Sequence, residues 1–295
     1  MADPPVVIRG LARRFRKVEA LRDLDLEVPE GSIFGLLGPN GSGKTTALRI
    51  LLGLLRADAG RASVWGEDSL SLSAATRQRI GYLSEEPFPY DDLPIDDLLL
   101  FISAFFDRFD HVRAGALRDR LRIPRDQALA ELSAGQRRRA ELVLALAPDP
   151  DLLVLDDPLA GLDATVRREF LDLVLEFSRR EGKTVLFTSH VLTDVERVAD
   201  TVGFLVGGSM RLVAPLDDLK ERVRRLVIET ESAEPKIPGE LSRRSVPGGV
   251  AVVTAGFGEP LLADLRARYG RVHAEELGLE EIFLAVTGGP AEAAP

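Results

Sequence analysis

Residues 38–46, GPNGSGKTT, place three glycines, a lysine and two threonines in one short turn between an apolar stretch and a helix-like stretch. Gly38, Pro39, Asn40, Gly41, Ser42, Gly43, Lys44 and Thr45 match G-x-x-x-x-G-K-[ST] throughout, and Thr46 follows directly. Glycines of this kind let successive backbone N–H groups turn inward around phosphate oxygens, and a helix starting near Gly43 adds its positive dipole end. Lys44 would reach the β- and γ-phosphates, and the Thr45 hydroxyl would ligate Mg2+. The loop reads as a nucleoside-triphosphate site.

A second chemical stretch is DLLVLDDPLAGLDA at 151–164. Its apolar run ends at Asp156, where the carboxyl edge of a buried strand would place a carboxylate able to hold Mg2+ through water. Asp157 follows directly. Phosphate loop and strand-end aspartate together suit ATPases, GTPases and small-molecule kinases alike. A third element is LSAGQ, in which Ser133 and Gln136 form an S-x-x-Q capping box, so a helix begins here with its N-terminus open to an anion.

The elements that must position these groups alternate in type. Two strand-like stretches fill 6–30, and a strand, the glycine-rich turn and an amphipathic helix follow. Residues 98–146 are mostly helical by period, with breaks at Pro124 and at LSAGQ. LLVLD, ATVRREFLDLVLEFSRR, TVLFTSH and VLTDVERVAD then alternate strand and helix, which predicts a parallel sheet buried on both faces. VGFLVGGSMRLV reads as a hairpin about Gly207-Gly208. After Pro215 the composition changes. A linker helix, DDLKERVRR, leads to a strand, loop, strand, helix, strand and helix over 226–288, then to a disordered tail at 289–295.

Bulk composition narrows the function. The chain has 295 residues, 45% hydrophobic and 29% charged, with net charge −9 and pI about 5.1. That balance lacks the basic footprint of a nucleic-acid binder, so no nucleic-acid partner is expected. The basic run Arg137–Arg139 reads as a solvated helix face. The absence of cysteine excludes disulfides, thiol catalysis and cysteine-held metals. MADPPVVIRG has no secretory pattern, and apolar runs such as 98–106 are too short to span a membrane, so a cytoplasmic location is expected.

In their order, these motifs resemble the ATP-binding cassette (ABC) ATPases over about residues 6–215. The phosphate loop comes first, and the resemblance extends its ATP contacts from Gly38 through Thr46. Next is a loop with Glu85 where the family has glutamine, with Glu86 as the alternative register. LSAGQ stands in place of the LSGGQ signature, with Ala134 as its departure. LLVLDDP, an Ala160–Asp163 segment similar to the D-loop, and His190 at the end of TVLFTSH follow. Phe15 lies where the family stacks a ring on adenine. The resemblance implies a P-loop α/β core with an antiparallel N-terminal β region and a helical subdomain at about 87–147, plus a small α+β appendage at 216–288. It implies ATP and Mg2+ as cofactors and a head-to-tail dimer, with itself or a homologous subunit. In that dimer Ser133, Ala134, Gly135, Gln136 and Asp163 of one chain serve the ATP held by the other.

Catalysis would fall to Lys44, Asp157, His190 and Glu85, and metal binding to Thr45, Asp156 and Glu85. The family usually has glutamate at Asp157. One methylene fewer leaves the carboxylate on the order of 1 Å short, and such a misplacement can cost about a hundredfold in rate. The appendage, ending LGLEEIFLAVTGG, resembles that of exporter ATPases whose membrane-spanning permease is a separate chain. The expected function is the ATPase subunit of an ABC exporter, held peripherally on the inner face of the membrane by that partner. A soluble non-transport ABC ATPase and a slow ATP clamp paired with a competent cassette stand as alternatives.

Overall fold

The computed structural model describes residues 4–86, 88–107, 109–230 and 235–288. The expected tail at 289–295 lies outside them. The described residues divide into two compact units, one running up to 199 with 205–210 and one of 200–204 with 211–288. The expected boundary at 215/216 thus differs, because most of β9 (Thr201–Val206) and of β10 (Ser209–Pro215) groups with the second unit. Gly207 and Gly208, at φ 58° and 82°, turn the chain between those two strands as the hairpin reading predicts.

In the first unit β1 (Val6–Phe15) and β2 (Val18–Val28) form an antiparallel hairpin with Phe15 opposite Val18 at its tip. β4 (Ala59–Val64) and β5 (Glu67–Asp68) complete a sheet ordered β2-β1-β4-β5. Alternate residues Val6, Ile8 and Leu24 point into a core shared with Leu48 and Leu51 of α1 (Lys44–Leu51) and with Leu152 and Val154 of β7 (Leu152–Leu155).

Behind α1 lies a parallel array. β3 (Ile33–Leu37), β7 and β8 (Thr184–Ser189) are buried at every residue, as continuous apolar runs covered on both faces should be. With β6 (Ile80–Leu83) they lie in the order β6-β7-β8-β3, all parallel. The register pairs Leu37 with Ser189 and Leu83 with Leu155. The chain therefore leaves all four strands at one edge, and 38–46, Glu85, Asp156-Asp157 and His190 are the residues it delivers there.

α2 (Ala74–Arg77) precedes β6, and α3 (Ile95–Ser103), α4 (His111–Arg120) and α5 (Ala134–Leu146) follow it within the span expected to be helical. α6 (Ala164–Ser178) and α7 (Leu192–Val195) follow β7 and β8. The arginines opening α5 do not form a solvated face. Arg137 pairs with Asp91 and Glu141, Arg138 with Glu141, and Arg139 with Glu169.

The second unit contains α8 (Leu216–Arg222), β11 (Arg224–Glu229), β12 (Glu240–Val246), β13 (Gly249–Thr254), α9 (Glu259–Tyr269), β14 (Val272–Glu276) and α10 (Leu279–Thr287). Its antiparallel sheet runs β12-β13-β11-β14, with Leu262 and Leu265 of α9 packed on Leu226, Ile228, Val252 and Val272. One strand more precedes α9 than the sequence suggests. β12 reads ELSRRSV, and its central arginine pair hides the alternation; charged residues are common on edge strands, where they discourage further pairing.

Candidate active site

The phosphate loop is shaped by backbone crowding. Gly43 sits at φ 107°, a conformation that only glycine adopts readily, and a Cβ there would fall 2.4 Å from the Ala20 carbonyl oxygen. A Cβ on Gly38 would lie 2.2 Å from the Leu205 carbonyl oxygen. Both glycines are required by close approach, and Gly43 then opens α1. Lys44, Thr45 and Thr46 form the first turn of that helix, with Thr46 half-buried beside the fully buried Ala47. Lys44 donates to the carbonyls of Gly38, at 2.7 Å, and Pro39, at 3.1 Å. Burial lowers its pKa, against the opposing pull of Asp157, Asp156 and Glu85.

Three further strand ends meet this loop. Thr45 Oγ1 donates to Asp156 Oδ1 at 3.1 Å, and Thr188 Oγ1 donates to the same oxygen at 2.9 Å. Thr188 also accepts from the Asp157 backbone N–H at 2.8 Å, so one hydroxyl on β8 orients both aspartates. Thr46, unlike Thr45, makes no side-chain hydrogen bond to these aspartates, so the helix start commits one of its two hydroxyls to the cluster. Burial pushes the Asp156 carboxyl above its ordinary value, although the Thr188 and Thr45 hydrogen bonds oppose it, and the nearby Glu85 charge pushes it further up. Asp157 is left-handed at φ 41°, which aspartate tolerates better than most residues. Its Oδ2 lies 2.6 Å from His190 Nδ1.

Asp156 Oδ2, Asp157 Oδ1 and Ser42 Oγ are buried without a hydrogen-bond partner. A hydroxyl and a carboxylate 3.1 Å apart, with a spare carboxylate oxygen beside them, match a hard dication that takes oxygen ligands and keeps several from water and phosphate. Among the described residues no group of three or more Asp, Glu or His could hold a metal alone, so nucleotide oxygens would have to complete the shell.

Glu85, rather than Glu86, bears on this cluster, since its charge acts on both Lys44 and Asp156. Glu86 is engaged 2.6 Å from Arg49. Phe15 is 42% exposed, with the Arg13 guanidinium 4.8 Å from its ring centre. It pairs with Val18, two residues before the Ala20 carbonyl that abuts Gly43, so the hairpin tip lies beside the phosphate loop.

The ABC transporter family model matches residues 21–160. The ABC transporter ATP-binding protein YtrB of Bacillus subtilis (strain 168) is 32% identical over 292 residues, covering 96% of this chain and 98% of that protein. The chain belongs to the ABC transporter family. The Nod factor export ATP-binding protein I of Burkholderia lata is likewise 32% identical, over 96% of this chain and 97% of that one. Among solved structures, an ATP-binding subunit of an ABC transporter superposes with a TM-score of 0.65 at 23% identity, covering 73% of this chain and 92% of that one.

In this ABC subunit the signature residues are engaged in capping their own helix. Ser133 caps α5 by accepting from the Gln136 N–H at 3.3 Å, while Gln136 Oε1 accepts from the Ser133 N–H at 3.1 Å. Ser133 and Ala134 are exposed. A Cβ on Gly135 would meet Val166 at 3.2 Å, so α5 lies against α6 at this point. Asp163 caps α6, accepting from Thr165 and Val166. No hydrogen bond among the described residues joins 133–136 or Asp163 to 38–46. One residue of the site escapes sequence reading: Thr188 looks like any threonine in a buried strand.

Proposed function

We propose that this ABC subunit drives export through a separate membrane-spanning chain, works as a head-to-tail pair, and hydrolyses Mg·ATP slowly. The observation that carries the reading is the delivery of 38–46, Glu85, Asp156-Asp157 and His190 to one edge of the parallel sheet. Thr45, Asp156 and Glu85 would hold Mg2+, which when bound neutralises charge on the phosphates and fixes their orientation. Lys44 leaves its two carbonyl partners to bind the γ-phosphate, Thr46 adds a phosphate contact from the first turn of α1, and Phe15 stacks on the adenine. Asp157 polarises the attacking water, and His190 contacts the γ-phosphate and that water.

The exposed N-terminus of α5 offers Ser133 and Gly135 to the triphosphate of a second copy or a homologous cassette, where the helix dipole favours three phosphates over two. ATP would then close the pair and hydrolysis release it. Slow turnover is supported by the short Asp157 side chain, one of whose oxygens is engaged by His190.

Export is supported by the Nod factor export relative, matched nearly end to end. A partner that spans the membrane is supported by a cavity of about 570 Å3 lined by Tyr82, Phe88, Phe101 and Phe105. Phe101 and Phe105 pack edge-to-face at 5.2 Å and remain exposed, a surface suited to a short apolar helix of the permease. No helix among the described residues is long and apolar enough to cross a membrane. The subunit would therefore sit on the cytoplasmic face through that partner.

Steady-state Mg·ATP hydrolysis beside Lys44→Ala tests the reading, together with co-purification of a multi-span membrane protein. Turnover above the Lys44→Ala background with such a partner retained is the expected result. Background turnover in wild type, raised by Asp157→Glu, would favour an ATP clamp serving a second, competent cassette.

A further inference from the structure

Arg138 lies two residues beyond the signature glutamine, yet its side chain is 11% exposed and turns away from the signature surface. Its Nε donates to the Pro158 carbonyl at 2.9 Å. One terminal nitrogen donates to the Ser84 carbonyl at 2.7 Å and to Glu141 Oε2 at 2.8 Å. The other donates to the carbonyls of Asp156 at 3.1 Å and Asp157 at 3.3 Å. One guanidinium thus holds the loop that leads into Glu85 and the strand end that carries Asp156 and Asp157. It hangs from the helix whose tip, on the reading above, serves the other ATP.

We infer that Arg138 is a positioning residue for the catalytic carboxylates of its own chain. Asp157 is held left-handed at φ 41°, and its carbonyl and those on either side of it point to this guanidinium. A planar fork with five N–H donors can bridge acceptors on two loops, whereas the single nitrogen of a lysine cannot. The side chain touches no reacting atom. It fixes the backbone from which Asp157 would reach the attacking water and Glu85 would help hold Mg2+. This rests on the roles proposed for those carboxylates.

Arg138→Lys is the test, because charge and helix propensity are kept while the fork is lost. The kcat should fall about tenfold to a hundredfold, the range for a misplaced catalytic group, with the KM for ATP within about twofold of wild type. The urea midpoint should hardly move. Mixing chains then locates the effect.

A Lys44→Ala chain mixed with an Arg138→Lys chain leaves one live site with altered carboxylates and a normal signature, and that site should stay slow. A Lys44→Ala, Arg138→Lys chain mixed with wild type leaves normal carboxylates facing the altered helix, and turnover should match wild type mixed with Lys44→Ala. A loss that follows the signature-bearing chain would overturn the inference. So would a loss matched by a lower urea midpoint with kcat per folded chain unchanged. If wild type is indifferent to added Lys44→Ala chain, the paired reading has failed instead, and kcat of Arg138→Lys alone still decides the point. Should Arg138→Lys prove insoluble, Glu141→Gln, which frees one arm of the guanidinium, should give the same kcat-selective loss in milder form, and an unchanged kcat would overturn the inference.

Discussion

At the scale of single residues the site turns on how two adjacent aspartates are held. Thr188→Val keeps the shape of the side chain but removes its donor to Asp156 and its acceptor for the Asp157 N–H. Leaving such groups unpaired should cost about 1–3 kcal/mol of stability by urea titration, and kcat should fall as well. Thr188→Ser should largely restore both. Asp156 also sets a pH dependence. Its carboxyl is raised by burial, against the Thr188 and Thr45 hydrogen bonds, so it takes up a proton at a higher pH than an ordinary aspartate. The Mg2+ concentration for half-maximal turnover should therefore rise as pH falls, and Thr45→Ala, which removes one of the opposing hydrogen bonds, should move that rise to higher pH. Lys44 and Thr45 are legible in the sequence because they fall in one contiguous motif, and Asp156 because it ends an apolar strand run. Thr188 and Arg138 are not, since each reaches the aspartates across at least 18 residues of sequence that only the fold brings together.

Secondary-structure elements carry the next layer. The apolar runs behind β3, β7 and β8 are readable because strands buried on both faces need no polar alternation. The signature helix is readable because Ser133 and Gln136 cap it reciprocally. β12 is not, because an edge strand with two central arginines carries little apolar signal. Ser133→Ala should cost about 1 kcal/mol in helix capping. If Ser133 also binds the partner's triphosphate, the KM for ATP should rise well beyond what that loss explains. Gly43→Ala meets the Ala20 carbonyl in a backbone region that disfavours side chains. It should cost at least about 1–3 kcal/mol and abolish nucleotide binding, both measurable by thermal unfolding with and without ATP.

For the molecule as a whole, the opposite end of the parallel strands is tied by charge. Asp149 accepts from Arg180, pairs with Arg113 of α4 at 2.6 Å, and lies 3.4 Å from the Lys183 Nζ. Burial would raise its pKa, but the Arg180 and Arg113 hydrogen bonds outweigh it and hold the carboxyl well below the usual range. A depressed carboxyl contributes fully above its unfolded pKa of about 4 and loses that contribution as pH falls. Urea midpoints should accordingly drop between about pH 5 and 2, and Asp149→Asn should flatten that limb while lowering the neutral-pH plateau. The crowding that forces glycine at positions 38 and 43 has a consequence for heat and disorder. A loop pinned between the Ala20 and Leu205 carbonyls has little freedom left to lose when nucleotide arrives. Calorimetry should then find only a small conformational-entropy penalty for phosphate capture, with most of it falling, if Phe15 stacks on adenine as proposed, at the exposed hairpin tip.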